Sequence, residues 1–174
     1  MLTANFEDRN LVVDILSKSF NDNLSVNYVI KQDRHREQRV KKLMAYSFNM
    51  CKRFGRVVLS ENRKACALIM FPDKKRTTLQ SILWDLELIR GCIGLGGISK
   101  ATRREHRIKT LQPKDALYYL WFTGVQPGEQ GMGHGTSLLA DMISDGPARA
   151  ALVFASNKVR RPKQNNGALG NAKK

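Results

Sequence analysis

Residues 119–139, YLWFTGVQPGEQGMGHGTSLL, run from an apolar β-segment through a proline and a glycine-rich turn into an amphipathic helix. No other stretch limits the fold so tightly. Ala116 to Val125 is too apolar for an exposed edge and reads as a central strand buried on both faces. The helix that follows carries the apolar stripe Leu138, Leu139, Met142 and Ile143, of which Leu138, Leu139 and Met142 read as core.

The turn between them has a chemistry of its own. Gly131, Gly133 and Gly135 lack a Cβ, so successive N–H groups converge on one anion at close range. The helix starts there as well, and its first N–H groups have no intrahelical acceptor, so a phosphate gains charge-assisted hydrogen bonds of roughly 1.5–3 kcal/mol each. A micromolar ligand needs about 8 kcal/mol in all, so three or four such bonds carry a large share of binding to a pyrophosphate. Two other glycine motifs fail on residues. Gly128 and Gly133 have the Walker spacing, but His134 and Gly135 stand where lysine and a hydroxyl belong. The dinucleotide fingerprint is absent too, because the glycines fall at 131, 133 and 135 and Asp141 is too near to serve as the ribose-binding acid.

What remains is Gln130-Gly131-Met132-Gly133-His134-Gly135, a Q-x-x-G-x-G match preceded by Val125-Gln126-Pro127 and followed by the helix stripe. This segment resembles the GNAT superfamily of acyl-coenzyme A transferases, specifically over residues 117–145 and by pattern alone upstream. The resemblance implies an α/β (α+β) fold with a mixed, mostly antiparallel sheet flanked by helices and a parallel, splayed strand pair at the cofactor site. It implies acetyl-coenzyme A as cofactor, held by Gly124, Val125, Gln130, Gly131, Met132, Gly133, His134, Gly135, Thr136 and Asn157. The pantetheine arm enters between Ala116–Val125 and a second apolar strand, Ala150–Ala155, and the backbone N–H near Gly124 and Val125 is the expected donor to the thioester oxygen. Thr136 adds a hydroxyl at the helix start or serves only as a cap.

The rest of the chain fits one domain. With 174 residues, 42% of them hydrophobic, it supports a single core over residues 1–157. Cys51, Cys66 and Cys92 are odd in number and widely spaced, which argues against a disulfide framework and a zinc site. The amino terminus has neither a secretory nor a transit pattern, and Leu79–Ile98 is broken by Asp85, Glu87, Arg90 and glycines, so cytoplasm and no membrane span are expected. The net charge of +15 invites a nucleic-acid partner. Acids interleave the bases up to Asp145, however, and the seven bases beyond it meet none, so much of the excess belongs to the end of the chain.

Helical spacing of Leu11, Val12, Ile15 and Leu16 predicts a first helix to about Phe20, with an exit loop at Asn21-Asp22-Asn23. Val40, Leu43, Met44, Ser47, Phe48 and Cys51 mark the inner side of a second, from about Asp33 to Phe54, with Gly55 as its terminator. Arg56–Ser60 and Lys64–Phe71 read as an antiparallel hairpin. A helical insertion over about 77–111 follows: Leu79, Ile82, Leu83, Leu86 and Ile89 mark one helix, and Ile98, Ala101, Glu105, Ile108 and Leu111 another. By the resemblance it helps cover the acceptor site. Tyr118, Tyr119, Trp121 and Phe122 alternate, two on each face of the central strand, as core. Residues 158–174 are basic and poor in large apolar groups, a flexible tail.

The activity implied is an N-acetyltransferase in which an amine of a small molecule or peptide attacks the thioester directly, with no enzyme-bound acyl intermediate. Val125 supplies its backbone as oxyanion donor, and Glu129 is the acid nearest the turn, either a general base or a solvated loop residue. Asp85, Glu87 and Asp115 are no better marked by spacing, and His134 is open between a catalytic and a packing role. Members of the family continue with further elements that often supply a tyrosine acid, whereas no tyrosine follows Tyr119 here, so an end truncated or out of frame is expected. The alternatives are a coenzyme A binder without turnover and a basic nucleic-acid binder.

Overall fold

The structure, a computed structural model, describes residues 1–111, 117–145 and 151–154. The sequence readings at Asp115, Ala116, Ala150, Ala155, Asn157 and 158–174 lie outside the described residues. One five-stranded sheet organises the rest: β1 (Leu2–Thr3), β2 (Gly55–Leu59), β3 (Ala65–Met70), β4 (Leu117–Val125) and β5 (Ala151–Phe154), side by side in that order. The first four strands are antiparallel and β5 runs parallel to β4, pairing Leu117–Leu120 with Ala151–Phe154. The result is a mixed α+β architecture.

Helices cover both faces. On one lie α1 (Arg9–Ser19) and α3 (Arg36–Phe54), whose Val12, Leu16, Val40, Met44 and Phe48 pack on Val57, Leu68, Tyr119 and Phe122. All six residues assigned to the inner side of the second helix are buried. The other face is narrower, with Leu138 and Met142 of α6 (His134–Asp145) on Val58, Ala65, Ala67, Ile69 and Leu120. Ile143 is exposed, unlike the rest of its stripe. The insertion holds α4 (Leu79–Leu88), a wider turn over Ile89–Ile93 and α5 (Ile98–Leu111). Among the described residues no helix is long and apolar enough to cross a membrane.

Four local readings change. A short α2 (Leu24–Val29) follows the exit loop, started by Asn23, whose side chain accepts the N–H of Val26 at 3.0 Å. The third helix begins at Arg36 because the Asp33 carboxylate instead holds the His35 N–H and the Arg39 guanidinium. Gly55 does end that helix, but in extended backbone as the first residue of β2, where a Cβ would lie 1.9 Å from the Ile69 carbonyl oxygen. The aromatic alternation also fails. Leu68 pairs with Phe122 and Ile69 with Leu120, so Trp121 is the extra residue of a β-bulge. The bulge resets the alternation, bringing Tyr119, Trp121 and Phe122 together on the α1–α3 side, where Trp121 meets Tyr46 edge-on at 6.2 Å.

Candidate functional site

At the end of β4 the chain turns on Gln126-Pro127-Gly128-Glu129. The Glu129 N–H donates to the Gln126 carbonyl at 3.0 Å and Gly128 has φ 88°, the pattern of a type II turn with proline in second and glycine in third place. Gly131 and Gly133 follow with φ 85° and 83° and open space where a Cβ would stand. A left-handed residue on each side of Met132 is the backbone pattern of an anion-binding nest. The Gly133 carbonyl accepts the Ser137 N–H at 2.9 Å, so the glycine caps α6 with its backbone alone. The N–H groups of His134, Gly135 and Thr136 are therefore the orphan donors of the helix. Among the described residues, no main-chain N–H from Gln130 to Thr136 has an acceptor, and Gln130–Gly133 are exposed to solvent.

Gly135 differs from the other two glycines of the motif. Its backbone is ordinary helix, and a Cβ there would come within 3.1 Å of Val125 Cγ2, so its lack of a side chain seats α6 on β4.

A polar chain anchors the bend to the β2–β3 hairpin. Glu129 ion-pairs with Lys64 at 3.2 Å and lies 3.3 Å from His134 Nε2. Asn62 Nδ2 faces His134 Nδ1 at 3.1 Å, while its Oδ1 accepts from Ser60 Oγ at 2.7 Å and from the Lys64 N–H at 3.1 Å. Those two donors orient the amide, which makes Nδ1 the acceptor and puts the imidazole proton on Nε2, toward Glu129. Lys64 first, then His134, hold the Glu129 carboxyl below its ordinary range. That makes Glu129 a weak proton acceptor and a strong tether. His134, at the first position of α6, is fixed by the same chain. Thr136 is exposed on the first turn of the helix.

The edge of β4 completes the site. The Gln126 N–H donates to the Lys64 carbonyl at 2.8 Å, so by antiparallel alternation Val125 and Thr123 direct their backbone groups away from β3. On that side Ser19 Oγ, at the end of α1, donates to the Val125 carbonyl at 2.9 Å. Gly124 lets α1 approach this closely: a Cβ would meet Leu16 Cδ2 at 2.9 Å and Ser19 Oγ at 3.0 Å. Thr123 Oγ1 is buried and has no partner among the described residues.

Sequence reasoning thus pointed to Gly124, Val125, Glu129 and the 130–136 run, which the fold brings into one continuous segment. It missed Ser19, Asn62, Lys64 and Thr123. A glycine inside a strand signals close approach of another element, so Gly124 was a pointer to α1. Nothing in linear spacing joins Asn62 to His134. The three cysteines are free and buried, and burial pushes the Cys66 thiol up to about 12 and Cys92 up to about 11. Among the described residues no cluster could hold a metal ion.

No family model matches the sequence, and no curated protein matches it. A solved structure, described as histone acetyltransferase HPA2 and related acetyltransferase from Corynebacterium glutamicum ATCC 13032, superposes with a TM-score of 0.58 at 16% identity, over 87% of this chain and 74% of that one. At that identity the likeness is one of fold. With a four-strand antiparallel sheet, a parallel fifth strand and flanking helices, the chain has a GNAT-like acetyltransferase fold.

Proposed function

We propose that the chain is an N-acetyltransferase that moves an acetyl group from acetyl-coenzyme A to an amine of a small molecule or exposed peptide. One observation carries the reading: the 130–136 bend presents main-chain N–H groups that have no acceptor among the described residues, at the positive end of α6. These residues fit a diphosphate. Gly131 and Gly133 leave the approach open, and the Asn62, His134 and Glu129 chain holds the bend in place before any ligand arrives. Preorganisation of that kind lowers the ordering cost of binding.

When bound, acetyl-coenzyme A supplies the activated carbonyl and a thiolate leaving group. The outward N–H of Val125 then serves as a fixed dipole for the oxygen on which negative charge develops, and Ser19 holds the peptide plane that follows Val125 by its carbonyl. Orientation of the amine beside the thioester supplies much of the rate. Glu129, already ion-paired, acts here as an anchor for the phosphate bend, and the amine loses its proton to solvent.

Calorimetry with acetyl-coenzyme A tests this directly. Wild-type protein is expected to bind at micromolar concentration in competition with inorganic pyrophosphate, and Gly133→Ala to weaken binding at least tenfold. Gly133→Ala also puts a Cβ into left-handed backbone, at about 1–2 kcal/mol, so its melt is recorded alongside. Binding that is absent, or indifferent to pyrophosphate, rejects the reading. The second reading, binding without turnover, rests on Glu129 being tied up as a base by its ion pair with Lys64. Thiol release with a panel of amines, run beside the calorimetry, separates the two.

A further inference from the structure

A cleft of about 520 Å³ opens between α2 with the turn behind it and the 93–100 segment of the insertion. Its volume lies in the range of small-molecule sites. Tyr28 and Lys31 stand on one wall, Ile93, Gly94, Gly97 and Lys100 on the other, and among the described residues no acidic one lines it. The walls are joined by backbone: the Lys31 N–H donates to the Cys92 carbonyl at 2.9 Å, and a Cβ on Gly97 would lie 3.3 Å from the Val29 carbonyl oxygen.

Among the described residues the charges that line it are of one sign and poorly neutralised. Lys100 Nζ sits 5.6 Å from the centre of the Tyr28 ring, with no carboxylate partner among the described residues. Lys31 lies 3.7 Å from Asp33, but that carboxylate is already committed to Arg39, at 2.7 and 3.0 Å. One turn beyond Lys100, Arg104 donates its Nε to Ser25 Oγ of α2 at 2.9 Å, again without a carboxylate among the described residues. Arg104 reaches toward the sheet as well: burial raises the pKa of the Tyr119 phenol of β4, and the charge of Arg104 opposes that rise. Lys31 and Lys100 thus set two cations in the open cleft, with Arg104 one helical turn beyond it on the same helix as Lys100.

We propose that this cleft receives the anionic group of a small-molecule ligand, a phosphate or a carboxylate. On the acetyltransferase reading above, on which this role depends, that ligand is the amine acceptor. A cleft whose described charges are lysines disfavours a polycationic amine and selects an amine that carries its own negative charge.

Matched pairs test the proposal. Binding of ethanolamine against O-phosphoethanolamine, and of butylamine against 4-aminobutyrate, is measured by NMR shift titration at constant ionic strength, on wild type and on Lys31→Glu and Lys100→Glu. Both lysines are distant in sequence from the bend, and melts and acetyl-coenzyme A affinity check that each variant is folded. The expected result is at least tenfold tighter binding of an anionic member, with that preference lost in Lys100→Glu and reduced in Lys31→Glu. Preference for the phosphate pair or the carboxylate pair names the group. Equal affinity within both pairs on wild type, or a preference untouched by both substitutions, overturns the proposal. A lysine-dependent preference in a protein that fails to bind acetyl-coenzyme A supports the cleft and overturns the transferase reading, so the two failures are distinct.

Discussion

Helices α4 and α6 carry nearly the same apolar signature and meet opposite fates. In α6 the stripe Leu138, Leu139, Met142 and Ile143 puts Leu138 and Met142 at 0% and 1% exposure against the sheet. In α4 the stripe Leu79, Ile82, Leu83 and Leu86 is exposed throughout, from 42% at Ile82 to 84% at Leu79. The difference lies in the surface each helix meets. β3 offers α6 the small residues Ala65 and Ala67, and Gly135 lets its first turn settle on Val125. α4 is held from its other side, by partly buried Trp84 and Leu88, by Asp85 accepting from the Tyr46 hydroxyl at 2.6 Å, and by a reciprocal cap between Thr78 and Ser81. Apolar periodicity announces a helix. It does not say which face will find a partner.

The sharpest way to break the comparison is to truncate both stripes. Leu138→Ala leaves a cavity between α6 and β3 and is expected to cost about 2–5 kcal/mol in urea melts. A cost below 1 kcal/mol means α6 is not seated as described. Gly135→Val comes next, at about 1–3 kcal/mol, since its branched carbons meet Val125 where a Cβ alone stands at 3.1 Å. It is also expected to weaken acetyl-coenzyme A binding, through displacement of the helix start. Gly133→Ala has open space around it, so its defect is one of backbone conformation, and a volume scan at 133 and 135 separates the two causes.

The start of α3 belongs to a third kind, fixed by charge. The guanidinium of Arg39 pulls the Asp33 carboxyl down to about 2 from its usual 3.8. A carboxylate whose folded pKa is depressed contributes stability above its unfolded pKa, and that contribution disappears as pH falls through the folded value. Stability is therefore expected to decline between about pH 4 and pH 2. Asp33→Asn should lower stability at neutral pH and flatten that part of the profile, and an unaltered acid limb would remove Asp33 from the account. The effect is smaller than those of the core substitutions, because the pair is only partly buried and stays in contact with solvent.

How much of this was legible in sequence follows from range. The Q-x-x-G-x-G run, the β-hairpin and the inner side of α3 are patterns of neighbours within about 20 residues, and each is where its residues put it. Gly124 showed a need for close approach but not the identity of Leu16 and Ser19, more than 100 positions away along the chain. The bulge at Trp121 was invisible because it arises from pairing: nothing in YLWFTG marks the residue that β3 will leave unmatched, and one unmatched residue redirects every aromatic side chain beyond it. The anchoring of His134 by Asn62 joins a turn to a helix start, a contact that exists only once the hairpin lies beside the bend.

The smallest expected effect is the most discriminating for α4. Leu83 is 64% exposed, so Leu83→Lys removes little buried area and should change stability by no more than about 0.5 kcal/mol. The double change Leu79→Lys with Leu83→Lys should stay within about twice that, since neither side chain contributes to the core clusters. The companion substitution Trp84→Ala supplies the contrast on the inward side of the same helix, where packing on the α1–α3 core is lost and a clear cost is expected. If instead the lysine pair unfolds the protein while Trp84→Ala is silent, α4 is turned about its axis, and its apolar stripe, like Leu138 and Met142 of α6, is buried.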